Sequence, residues 1–186
     1  FQKAARELHI RMHEYTIKTA ILKDHGIKLS EFSYYVDMQY ILFPIPWIST
    51  ICILDYAVYQ YRLGNESQSV SVKNMQKNKE QHFKILCSLI HYYQKRAAAG
   101  DTVTILSYLA RGIAKMEANQ IQIALCMPIG KRAKAEMFRA EMKVRRECPA
   151  AYSANRKISL RLLRKSGYLL YPVAAVLWRF VKRQKY

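Results

Sequence analysis

The chain has 186 residues, 51% of them apolar, and 31 Lys/Arg against 13 Asp/Glu for a net charge of +18. That apolar share supports a real core, and the length suits one domain or one domain with an appendage. The charge excludes an even basic coat: residues 1–70 are net zero, 71–130 net +5 and 131–186 net +13, which points to an anionic partner (membrane lipid, nucleic acid or an acidic protein) at the C-terminal end.

Residues 3–23 carry Ala, Leu, Ile and Met interleaved with charge, which predicts a helix stopped at Gly26. The start, FQKAARELHIRMHEY, has neither a signal-peptide apolar core nor an initiator Met, so the expectation is a chain that begins inside a longer protein. Residues 27–30 predict a short strand, and 35–43 a helix ended by Pro44 and Pro46. TICILD (50–55) and AVYQYRL (57–63) predict buried strands from their β-branched and aromatic content. From Asn74 to about Ala99 the texture becomes helical, with Phe83, Leu86, Cys87 and Ile90 at helical spacing. Gly100-Asp101-Thr102 breaks it. Further helices are predicted over 103–127 and 131–147, separated by Pro128 and Gly130 and closed by Pro149.

Two C-terminal features belong together. RKISLRLLRK (156–165) is basic with interspersed Ile and Leu, and GYLLYPVAAVLW (167–178) is uncharged before RFVKRQKY. A spanning helix needs roughly twenty apolar residues, so this stretch is too short, and Pro172 interrupts it. Tyr168, Tyr171 and Trp178 suit the headgroup level, and cations flank the block. The expectation is an in-plane anchor on an anionic membrane over 156–186; the plainer alternative is an amphipathic helix closing the core. Nucleic acid is not expected, because the aromatics sit in an apolar block rather than among the cations.

The chain has no Gly-rich phosphate loop, no H-E-x-x-H, no G-x-S-x-G and no C-x-x-C; Cys52 and Cys87, in apolar surroundings, read as core thiols of a reducing compartment. His9 and His13, four apart, lack the intervening Glu of a metalloprotease. One acid, Asp37, stands in an aromatic and apolar setting between Tyr34-Tyr35-Val36 and Met38. Residue type leaves it open between capping the following helix and acting as a general base. The polar run Gly64–Ser71 with Arg62 reads either as a surface turn or as a contact for phosphate or sugar.

Three blocks, MHEYTIKT (12–19), IKLSEFSYYVDMQY (27–40) and ILDYAVYQYRLGNESQSVS (53–71), resemble in order and spacing the C-terminal half of the catalytic domain of bacterial family-two glycosyltransferases. The resemblance implies a partial GT-A, Rossmann-like α/β fold followed by a mostly helical extension. It implies that Asp37 is the base of an inverting transfer, and that His13, Arg62, Gly64, Gln68, Ser69 and Ser71 bind substrate. Val36 stands where many members have an acid. The family's Asp-x-Asp motif, which holds a divalent cation (Mg or Mn) and the nucleotide-sugar diphosphate, is absent.

The expected organisation is therefore an acceptor-side catalytic part over 1–72, a helical extension over 73–150 and a basic membrane-associating tail over 151–186. The expected function is part of an inverting transfer from a nucleotide-sugar donor to a saccharide or lipid-linked acceptor in surface-polysaccharide synthesis. This chain alone would be inactive; the intact enzyme would lie in the cytoplasm, peripheral on the inner face of the cell membrane. The rival expectation is a non-enzymatic helical module whose basic tail contacts membrane or nucleic acid.

Overall fold

The computed structural model describes residues 8–55, 59–60 and 72–185. The described part is built from helices: α1 Thr19–Asp24, α2 Asp37–Leu42, α3 Val72–Lys77, α4 Lys79–Ala98, α5 Val103–Cys126, α6 Lys131–Glu147, α7 Pro149–Ala154, α8 Ile158–Lys165 and α9 Tyr171–Lys185, with short 3-10 turns at Met12–Glu14 and Ile45–Trp47. No strand occurs among the described residues.

This corrects the expected α/β fold. Residues 27–30 and 50–55 have no regular structure, and 57–63 lie mostly outside the described residues. Ile53 is 74% exposed and Leu54 58%, so the 50–55 run is not a buried strand. A strand must hand its backbone donors and acceptors to a neighbour, and no described segment offers a ladder. Without a parallel sheet there is no Rossmann-like GT-A half among the described residues. Cys52 is exposed rather than a core thiol, and Cys87 is half-buried. Of the helix expected over 3–23, residues 3–7 lie outside the described residues and 8–18 are not α-helical, which leaves α1; Ile10 and Tyr15 instead pack on the core from the chain preceding it.

The longer helices follow from local chemistry. α5 begins where the Thr102 hydroxyl accepts from the Ile105 amide at 3.4 Å, satisfying one free N–H of the first turn. It is apolar nearly all round, which suits a helix surrounded by others. It packs against α2, α3, α4, α6, α7 and α9 and forms the axis of the molecule. α4 ends with Gly100 at φ +78°, a left-handed position, and the adjacent Asp101 accepts from Arg96 Nε at 2.7 Å. α6 lays Ala133, Met137, Ala140 and Val144 along one buried face, where the two alanines admit close approach.

Two apolar clusters result. The first joins α2, α4 and the first half of α5 through Leu42, Leu86, Ile90, Leu109 and Ile113. Gly112 lets α2 approach: a Cβ there would lie 2.6 Å from Leu42 Cδ1, below any tolerable contact. Gln39, itself buried, staples α2 to α4 by donating to Ser88 Oγ at 2.7 Å, and also accepts from the Ser30 amide at 2.9 Å. The second cluster joins the end of α5 and α6 to α8 and α9 through Ile121, Leu125, Met137, Leu160, Leu163, Tyr171 and Ala175. The tail is thus part of the fold. Pro172 does not interrupt it; it is the second residue of α9, where its missing N–H is one that a first turn leaves free anyway.

Candidate functional site

Asp37 opens α2, two residues after Tyr35, which is held at φ +68°. Its carboxyl is half-buried, and burial pushes its pKa up; the Met38 amide and the Lys115 ammonium pull the other way. His13 sits in the Met12–Glu14 turn, which packs beside α2, so the structure brings the segments of these two expected site residues together. The His13 ring lies 5.2 Å from that of Tyr59 and its Nε2 3.7 Å from Glu14. Lys115 Nζ is 3.2 Å from His9 Nε2. Arg62, Gly64, Gln68, Ser69 and Ser71 lie outside the described residues. Among the described residues no group of three His, Cys, Asp or Glu side chains is placed to hold a metal ion.

The strongest electrostatic feature lies elsewhere. Glu117 of α5 is 0% exposed and Glu141 of α6 is 1% exposed. Arg164 of α8 reaches in between them, donating from Nη2 to Glu117 at 2.8 Å and from Nε to Glu141 at 3.1 Å. Its Nη1 donates to the Tyr152 carbonyl at 2.9 Å, and its guanidinium lies 3.6 Å over the Tyr152 ring. Asn155 donates to Glu117 at 2.9 Å, and the Tyr168 hydroxyl to Glu141 at 2.7 Å. Burial, and then the charge of Glu141, push the Glu117 carboxyl up to about 7. Charge counting over segments does not find this network. The usable signal is an acid at core spacing: Glu117 falls four residues from Ile113 and from Ile121, and Glu141 four from Met137.

The clamp fixes the tail, whose two sides differ. Leu160, Leu163, Tyr171 and Ala175 face the core. Leu169 (80% exposed), Val173, Val176, Leu177 (61%) and Phe180 (62%) face outward. Val173, Val176, Leu177 and Phe180 fall at i, i+3, i+4 and i+7 along α9, one continuous helical stripe, and Leu169 is exposed in the turn just before the helix. Ile158 and Leu162 are exposed on α8 beside Arg161 and Lys165. From Cys148 to Tyr186 the chain has nine Lys/Arg and no Asp or Glu. The aromatics do not lie where expected. Tyr171 is buried, Trp178 packs on the second cluster and Tyr168 is tied to Glu141, so the outward stripe is aliphatic apart from Phe180. No described helix is long and apolar enough to cross a membrane.

No protein-family model matches the chain, and neither a curated protein nor a solved structure does. With no strand among the described residues and no such match, the resemblance to family-two glycosyltransferases does not hold as an assignment of family or fold; what stands is a helical protein.

Proposed function

We propose that this chain is a helical module that docks on an anionic membrane surface through α8 and α9. The observation that carries the proposal is the outward stripe from Val173 to Phe180, with exposed Leu169 in the turn before it, in a segment with nine cations and no acid. A stripe of this kind gains free energy by entering the acyl boundary, while flanking Lys and Arg gain roughly 1 kcal/mol each near an anionic leaflet. Nucleic acid is the poorer partner, because a phosphate backbone leaves exposed aliphatic side chains in water. Deleting the tail would be a poor test, since α8 and α9 cover Ile121, Leu125 and Met137. The surface variant Leu169→Gln/Leu177→Gln/Phe180→Gln removes the stripe and leaves the core side intact. In vesicle flotation the parent is expected to bind anionic but not neutral vesicles, more weakly at high salt. The variant is expected to bind about a hundredfold more weakly. Unchanged binding would sink the proposal.

A second reading concerns Asp37. Burial raises the Asp37 carboxyl and so strengthens it as a proton acceptor, the step expected of a base that activates an acceptor hydroxyl in sugar transfer. It claims the chemistry of one residue and no family, with donor and any divalent cation held by other segments. In an intact enzyme carrying this chain, Asp37→Asn is expected to lower transfer by about 10²-fold or more while the thermal unfolding midpoint stays near the parent's. Transfer at the parental rate rules the base out.

A further inference from the structure

A cavity of about 500 Å³ opens beside the clamp, lined by Tyr152, Ser153, Asn155, Arg156, Arg161 and Arg164. Its lining has three guanidinium groups and no carboxylate. Arg164 forms the inner wall and is already committed to Glu117, Glu141 and the Tyr152 carbonyl. Asn155 is likewise spent on the Ala114 carbonyl and Glu117. Arg156 and Arg161 differ: both are exposed, and among the described residues neither makes an ion pair. Neighbouring Lys157 faces Lys115 rather than an acid, and burial together with that ammonium pushes its pKa down. Arg156, Lys157 and Arg161 thus bring cations together with no ion-pair partner of their own among the described residues, an arrangement that favours an anion between them.

The size and the neighbours narrow the class of anion. The volume is far beyond a bare phosphate and lies within the range of organic ligand sites. Arg161 and Leu162 are adjacent on α8, so the mouth of the cavity and the outward apolar residues belong to the same short helix. A ligand with a charged head and an apolar tail meets both. Two forks favour a terminal phosphate, which offers more charge and more acceptor oxygens than a diester.

We propose that this cavity is the headgroup site of the membrane surface described above, taking the terminal phosphate of a phosphomonoester lipid between Arg156 and Arg161. The site rests on that membrane reading and adds a headgroup preference to it. Ser153 lies on the cavity wall and supplies a hydroxyl donor. The Tyr152 ring and the paired Arg164 shape the inner end without binding the phosphate themselves.

The test compares flotation of the full chain on phosphatidylcholine vesicles carrying either phosphatidic acid or phosphatidylserine, adjusted to equal zeta potential. Affinity is expected to be about tenfold higher for phosphatidic acid, the worth of one charge-assisted hydrogen bond. The charge-conserving variant Arg156→Lys/Arg161→Lys loses the forks but not the charge, so it should bind phosphatidylserine as the parent does and lose the preference. A soluble arm titrates glycerol 3-phosphate into the labelled protein by NMR. Equal parental binding to both vesicles overturns the headgroup site while leaving the membrane surface standing. A preference that survives in the double-lysine variant overturns its assignment to these arginines. Binding to neither vesicle overturns the membrane reading and the lipid source together. Glycerol 3-phosphate binding at the cavity in that last case identifies a free-phosphate site instead.

Discussion

Replacing Arg164 with methionine is expected to lower the unfolding free energy by about 3–5 kcal/mol, the cost of stranding a buried charge. Two carboxylates that water does not reach, Glu117 and Glu141, share this one guanidinium. Taking away the cation leaves both desolvated and mutually repelling, with only Asn155 and Tyr168 as donors. Urea unfolding followed by circular dichroism at neutral pH measures the effect. Arg164→Lys should fall between, since an ammonium keeps the charge but cannot span both acids in a fork. The all-neutral Glu117→Gln/Glu141→Gln/Arg164→Met should recover part of the loss, because an uncharged set leaves no ion to strand. A stability within ~0.5 kcal/mol of the parent for Arg164→Met would show that the clamp carries no weight. The consequence for function is direct: Arg164 ties α8 to α5 and α6, and so sets how the tail presents its outward side.

The second large effect is a pH profile in which two buried groups oppose each other. Glutamate ordinarily titrates near 4.5, and Glu117 is pushed up to about 7 by burial and by Glu141. Between those values the folded protein holds a proton that the unfolded chain has released, so stability falls as pH rises. His82 behaves inversely. It is 1% exposed, and burial pushes its imidazole from 6.5 down to about 4, against the pull of Gln120, whose Oε1 is 2.5 Å from Nδ1. Between those values the unfolded chain takes up a proton that the folded one refuses, so stability rises with pH.

The windows overlap, and each group contributes up to ~3 kcal/mol, so together they largely cancel. Single variants separate them. Subtracting the parent's profile from that of Glu117→Gln should leave a curve rising through pH 4.5–7, with the variant more stable at pH 7. The same subtraction for His82→Gln should leave a curve that falls as pH rises from 4 to 6.5: the variant gains on the parent as pH drops. Profiles parallel to the parent's in both variants would mean that neither group titrates differently on folding.

The long helices were legible because length and punctuation agree. Residues predicted helical over 103–127 and 131–147 coincide with α5 and α6, and Thr102, Pro128, Gly130 and Pro149 stand at their ends. The short apolar runs were not legible. TICILD satisfies strand composition, but composition cannot supply the second strand that a ladder needs, and here the run lies exposed. Asp37 was conspicuous in the sequence because its neighbours are apolar. Glu117 and Glu141 were not: Glu141 sits among Arg139, Lys143 and Arg145 and Glu117 beside Lys115 in a polar–apolar mixture, and each is isolated from water only when its helix face is buried.

The sequence by itself determined the charge gradient, the helical character after residue 72, the breaks between the long helices and the acid-free, apolar–basic tail. Those properties depend on neighbours within a few turns, which the chain states directly. The tertiary structure decided which side of the tail is spent on the core and which faces out, that Arg164 satisfies two buried acids from different helices, and that Arg156 and Arg161 meet at a cavity. Such pairings join residues from 23 to 47 positions apart, as between Arg164 and its two acids. Only packing brings them within the few ångströms at which charge and hydrogen bonding act.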